Sequence, residues 1–142
     1  MEIVGHGIDL VEVDFFRRLL REESSRDALA RYFTSVELTQ VGDGPDSAER
    51  LAGRFAVKEA VLKALGVGWA QGIAWTDIEI QNLPSGAPVV HLSAGCRSVA
   101  AEQRVTRWLV TISHTPVFAV ASAIAISDTG QESQDPVRPC GT

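Results

Sequence analysis

Apolar residues recur with helical spacing over residues 48–66, and the rest of the chain reads around that stretch. At about 100° per residue, Leu51, Phe55, Leu62 and Leu65 fall in one stripe, and the flank carrying Ala52, Ala56 and Ala60 is small enough to be covered as well. Ala and Leu dominate, no proline interrupts, Ser47 is placed to act as N-cap and Gly66 as the C′ stop. The spacing predicts a helix of about five turns, central to the core.

Upstream, residues 3–9 are β-compatible, with Gly5 and Gly7 between Ile3, Val4 and Ile8, and Asp9 at the end. Glycines weaken a strand unless another backbone or a ligand must come close. Residues 12–23 form an amphipathic pattern with Val13, Phe16, Leu19 and Leu20 inward, and Ser24 or Ser25 restarts a second helix through Tyr32. Thr34 and Glu37 have capping-box spacing for a short helix to Val41, followed by a Gly/Pro/Asp loop over 42–47.

Downstream, Gly68 and Gly72 bracket a flexible turn around Trp69. Residues 75–81 alternate as a strand, Pro84-Ser85-Gly86 turns it, and residues 88–92 return as a hairpin. Ser93 caps a helix through Arg104. Residues 108–113 and 117–126 are apolar strands joined at His114-Thr115-Pro116, and their Val/Ile/Ala content marks them as the most buried sheet element. The order β-α-α-α-α-ββ-α-ββ gives an α+β fold, a largely antiparallel sheet packed on the long central helix. One domain spans 1–127, and the polar, patternless residues 128–142 are expected to be a disordered tail.

Composition narrows the function classes. A chain of 142 residues suits one domain that buries about 70% of its unfolded surface. A formal charge of −5 argues against a nucleic-acid binder. No apolar run approaches the ~20 residues of a membrane span, and no charged-then-apolar leader opens the chain. Cys96 and Cys140 lack metal-ligand spacing and read as free thiols of a reducing cytoplasm.

The candidate chemistry concentrates on the central helix. Lys58 and Lys63 are the only lysines, every other basic side chain being arginine. Lys58 projects from inside the apolar stripe, where a charge is costly unless its stem is packed and its ammonium meets water or an anion. Glu59 and Lys63, four apart, make either a surface pair worth about 0.2–0.5 kcal/mol or a functional couple. Asp9 either caps the following helix or ligates a metal at a strand end.

The excess of arginine over residues 17–31 (Arg17, Arg18, Arg21, Arg26, Arg31) is either a solvated helix face or a docking surface for an acidic partner. His6 and His91 read as structural, and His114 sits in a tight turn. Nucleophile-elbow, zinc-hydrolase and Walker motifs are lacking. Asp9, Glu59, Lys63, Arg54, Lys58 and His114 remain, the ingredients for Mg²⁺ holding a phosphate ester.

Four blocks carry a family resemblance. They are Gly5-His6-Gly7-Ile8-Asp9 with Glu12, Phe33-Thr34 with Glu37, Leu51 to Ala60 (Arg54-Phe55-Ala56-Val57-Lys58-Glu59-Ala60) with Lys63 and Gly66, and Ser113-His114-Thr115. In this order and spacing they resemble the holo-acyl-carrier-protein synthases, the small single-domain 4′-phosphopantetheinyl transferases, over residues 3–126.

The resemblance implies that fold, and transfer of the 4′-phosphopantetheine arm of coenzyme A to a serine of apo-acyl carrier protein, releasing 3′,5′-ADP in fatty acid biosynthesis. It implies Asp9 and Glu59 as Mg²⁺ ligands, Glu59 or a water it holds as base, and Lys63 at the leaving group. Arg54, Lys58, Gly86, Pro88, His114 and Thr115 would face coenzyme A, and Arg17, Arg18 and Arg21 the acidic carrier protein. A lysine frequent in the adenine-lining hairpin is Ala87 here, and Asp14-Phe15 stands where the family often carries basic residues. A homotrimer with active sites between subunits is the implied assembly. The alternatives are a non-catalytic coenzyme A or carrier-protein binding module and a Mg²⁺-dependent pyrophosphate hydrolase.

Overall fold

The structure, a computed structural model, describes residues 1–68 and 72–128. Trp69, Cys140 and nearly all of the predicted tail lie outside the described residues. The elements run β1 (Glu2–Glu12), α1 (Val13–Leu20), α2 (Ser25–Tyr32), α3 (Ser35–Val41), α4 (Ser47–Leu65), β2 (Ile78–Asn82), β3 (Pro88–Leu92), α5 (Ala94–Glu102), β4 (Arg107–His114) and β5 (Phe118–Ser127). The α+β architecture and antiparallel pairing are those expected. β5 is central in a sheet of order β1-β5-β4, and β2-β3 form a separate two-stranded sheet.

The central helix lies on the inner face of the larger sheet, and small side chains let it come close. A Cβ on Gly7 would stand 1.9 Å from the Ala60 carbonyl oxygen, and one on Gly5 1.9 Å from that of Ala64. The close backbone approach that strand glycines suggest is therefore α4 itself. β5 answers with Ala119, Ala121, Ala123 and Ala125, each at most 1% exposed. The spacing of α4 from the sheet is set by glycine and alanine, and anything larger on that face would push the layers apart.

Several boundaries differ from expectation. The first strand runs past Asp9 to Glu12, and Glu12 is the N-cap of α1. Asp9 is therefore a strand residue and not a helix cap. Asp46, without a side-chain cap bond, is the N-cap of α4, and Ser47 is its first residue. Gly66 ends the helix in the left-handed region at φ 68°. The capping box on α3 is present: Thr34 Oγ1 accepts from the Glu37 amide and Glu37 Oε1 from that of Thr34.

Trp75–Asp77 is a 3₁₀ turn rather than strand, closed by the Ala74 amide donating to Asp77 Oδ2. The β4–β5 hairpin is buried on one face only. Its outer face, with that of β1, exposes Ile8 (58%), Leu10 (62%), Leu109 (50%) and Phe118 (42%). Beneath α1 and α2 an aromatic cluster fills the core, Phe16 against Phe33 and Phe55, with Phe55 stacked on Trp75 at 4.5 Å between centroids.

Candidate functional site

Most of the candidate site residues gather in two cavities on opposite halves of α4. The first, about 480 Å³, lies where the end of β1 meets α1 and the second half of α4, and Asp9, Glu59, Lys63 and Phe55 line it. Asp9 reaches it because β1 continues straight beside the helix, and Glu59 and Lys63 because four residues make one helical turn. Lys63 Nζ donates to Asp9 Oδ1 and to the Ile8 carbonyl, each at 3.0 Å. Among the described residues no group of three or more His, Cys, Asp or Glu could hold a metal. Two carboxylates lining one cavity nevertheless suit Mg²⁺, which is commonly held by one or two carboxylates with phosphate and water completing its shell.

The second cavity, about 360 Å³, opens between the first half of α4, the β2–β3 turn and the end of β4. Arg54, Gly86, Pro88 and His114 line it together, as do Arg50, Glu49 and Asn82. Gly86 holds φ 88° at the hairpin tip, a conformation that glycine adopts without strain. His114 Nδ1 lies 2.9 Å from Glu49 Oε2, and Glu49 Oε1 lies 3.7 Å from Arg17. Arg54 is 3% exposed, and burial first, then neighbouring Arg50, pulls its guanidinium below the ordinary arginine range. Its Nε is buried without a hydrogen-bond partner among the described residues.

Two assignments need correction. Lys58 does not face this cavity. It is fully buried, and its three ammonium protons go to Glu37 Oε1 at 2.7 Å and to the Trp75 and Ile78 carbonyls. No donor is left for coenzyme A, so Lys58 is a structural tie between α4, α3 and the start of β2. Thr115 spends its hydroxyl in the turn, accepting from the Val117 and Phe118 amides at 3.2 and 3.1 Å. It shapes the corner that presents His114.

On the arginine face, Arg18 pairs with Asp14 at 3.2 Å in solvent, Arg17 leans toward Glu49, and Arg21 is the exposed C-cap of α1. An exposed pair such as Arg18–Asp14 contributes about 0–1 kcal/mol and yields readily to a better partner. Gln40, Glu49, Arg50 and Asn82 carry no local motif. They become site residues only through packing. A larger groove, about 760 Å³, is floored by Leu20, Leu29 and Leu38, and of the arginine run only Arg26 lines it.

Comparison with known proteins identifies the family and the fold. The family model described as the 4′-phosphopantetheinyl transferase superfamily matches residues 5–124. A holo-[acyl-carrier-protein] synthase of Desulforudis audaxviator is 42% identical over 132 residues, 93% of this chain and 98% of the relative. The solved holo-(acyl-carrier-protein) synthase of Bacillus anthracis, in complex with CoA (3′,5′-ADP), superposes with a TM-score of 0.71 at 31% identity, covering 88% of this chain and 97% of that one. That of Helicobacter pylori, in complex with coenzyme A, gives 0.73 at 28% identity over 85% and 99%. With the family model spanning nearly all of the described fold, the chain belongs to the 4′-phosphopantetheinyl transferase superfamily and, within it, to the holo-acyl-carrier-protein synthases.

Proposed function

We propose that this protein, in the cytoplasm, transfers the 4′-phosphopantetheine arm of coenzyme A to a serine of apo-acyl carrier protein with Mg²⁺ bound, releasing 3′,5′-ADP. The observation that carries the reading is the division of labour between the cavities. The acids and Lys63 line one, while Arg54, His114 and the hairpin tip line the other.

Arg54 and His114 hold phosphate groups of coenzyme A, and Gly86 and Pro88 bound its adenine end. Asp9 and Glu59 would hold Mg²⁺, which when bound supplies charge neutralisation on the pyrophosphate oxygens. Glu59, directly or through a water, takes the proton of the carrier serine as its oxygen attacks the phosphorus. The bond from phosphorus to the departing 3′,5′-ADP oxygen breaks, and Lys63 neutralises or protonates that oxygen. Positioning and electrostatics carry the catalysis, as phosphoryl transfer requires little covalent work from the protein.

The two cavities share no lining residue. The exposed apolar outer sheet face offers a way to bring one copy's acidic cavity to another's basic one. We read this as a homotrimer with sites between subunits, on which Arg17, Arg18 and Arg21 receive the acidic carrier protein.

Intact-mass spectrometry of apo-acyl carrier protein incubated with the protein, coenzyme A and Mg²⁺ tests the reading. A gain of one phosphopantetheine arm, lost with EDTA, is expected. Coenzyme A binding with no gain would instead point to a binding module.

A further inference from the structure

Glu37 and Gln40, one turn apart on α3, make the same connection twice. Glu37 Oε1 accepts from Lys58 of α4 at 2.7 Å, and its Oε2 from the Ile80 amide of β2 at 3.1 Å. Gln40 Oε1 accepts from Arg54 Nη2 of α4 at 3.2 Å and from the Asn82 amide of β2 at 3.2 Å. Three residues along one helix, four along the other and two along a strand each keep to one face, so the pairs stack as two rungs. The partners also settle the Gln40 amide, since two converging donors require its oxygen there.

The rungs differ in what they leave unused. The inner one is closed: the Lys58 ammonium and both Glu37 oxygens are fully engaged. The outer one is open. Arg54 is held through Nη2, which also donates to Asn82 Oδ1 at 3.3 Å, while its buried Nε has no partner among the described residues. Gln40 is neutral, so it orients the guanidinium without consuming its charge.

The same residue gathers a second cation. The main-chain carbonyls of Gln40 and Val41, at the C-terminal end of α3, each accept from Arg50 at 2.8 Å. Arg50 thereby stands close enough to Arg54 to disfavour its charge. Two guanidiniums, one buried with a spare donor, favour an anion in the cavity they line.

We propose that Gln40 is a positioning residue, whose side-chain oxygen and main-chain carbonyl aim Arg54 and Arg50 at one phosphate group of coenzyme A. The proposal rests on reading that cavity as the coenzyme A site, and it adds the residue that makes the site's geometry. Replacement of the acceptor leaves the Arg54 guanidinium held only by the longer bond to Asn82 Oδ1 among the described residues, and leaves the Asn82 amide without its partner.

The test is calorimetric titration of coenzyme A into the full chain and its Gln40→Met, Gln40→Asn, Arg54→Met and Gln40→Met/Arg54→Met variants, each first checked for cooperative thermal unfolding. Loss of a hydrogen bond to a charged group predicts coenzyme A affinity about tenfold weaker in Gln40→Met. The double variant should bind no more weakly than Arg54→Met, because the two residues act as one unit. In turnover by Gln40→Met, KM for coenzyme A rises in step with the loss of affinity, while kcat and KM for carrier protein stay within about twofold.

Gln40→Asn keeps the amide but falls short by one methylene, and it should match Gln40→Met. If Gln40→Met does not fold, it replaces that variant. Affinities within twofold of wild type in the Gln40 variants, or losses that add fully to that of Arg54→Met, overturn the proposal. Wild-type binding by Arg54→Met would overturn the reading of the cavity itself.

Discussion

Lys58 and Glu37 show how one residue's worth depends on its partner. Both are fully buried, and burial pulls the Lys58 ammonium below its usual range against the opposing pull of Glu37. Removing one charge strands the other, so Lys58→Met should lower stability by about 3–5 kcal/mol in urea denaturation. Adding Glu37→Leu should recover part of that loss. The Thr34 and Ile80 amides would then lack their acceptor, at about 1–3 kcal/mol each.

Cys96 is the opposite case, a thiol that must stay neutral. Burial, then Asp77, pushes it up to about 12 from an ordinary 9.0. A raised folded-state value means the unfolded chain loses its proton first. The contribution is complete below pH 9 and drains away between about pH 9 and 12, by up to about 1.4 kcal/mol per pH unit. Cys96→Ala should flatten that component when the pH dependence of unfolding is compared with wild type.

Among the elements, the contact of α4 with β1 and β5 leaves the least room for change. Gly7→Ala would place a methyl 1.9 Å from the Ala60 carbonyl oxygen, a backbone atom that moves only if the helix moves. Overpacking of this kind typically costs about 1–3 kcal/mol, and a backbone clash lies at or beyond the upper end. Thermal unfolding should show it as a large loss, whereas Gly68→Ala, with open space around it, should be near neutral.

The same elements show what was legible beforehand. The extent of α4, its glycine stop and the close approach at Gly5 and Gly7 follow from local pattern, because periodicity and missing side chains are properties of a short stretch. Local pattern left Asp9 open between a helix cap and a metal ligand, and only the resemblance joined it to Glu59 and Lys63, with which it lines one cavity. Lys58 was not legible. Its ammonium meets Glu37, 21 residues away, and a helical stripe cannot say whether a lysine within it faces a ligand or a buried acid. Gln40, Arg50 and Asn82 were invisible, since their roles arise where α3, α4 and β2 meet. The 3₁₀ turn at Trp75–Asp77 mimicked a strand because its residue types continue the alternation of β2, although its own burial does not alternate.

At the scale of the whole molecule, the separation of the cavities makes a prediction that a self-contained site would not. Glu59→Ala removes an acid from one cavity, and Arg54→Met a cation from the other. Each variant alone should be inactive or severely impaired in the mass assay. Mixed after reversible dissociation, they should regain about a quarter of the wild-type activity if the proposed trimer forms, because random assembly around such a ring joins two intact halves at that frequency. No recovery would place both halves of the site in one subunit. On the proposed trimer, Ile8→Glu on the outer sheet face should abolish assembly in sedimentation equilibrium, and turnover with it.

Phe55 joins two environments described separately above. One side lines the cavity of Asp9 and Glu59, while the other stacks on Trp75. Whatever settles in that cavity presses on the neighbour of an indole, so the protein contains an intrinsic optical probe of occupancy. With Trp69 and Trp108 changed to phenylalanine, Trp75 emission would follow filling of the cavity in real time, without a label and before any bond is made or broken.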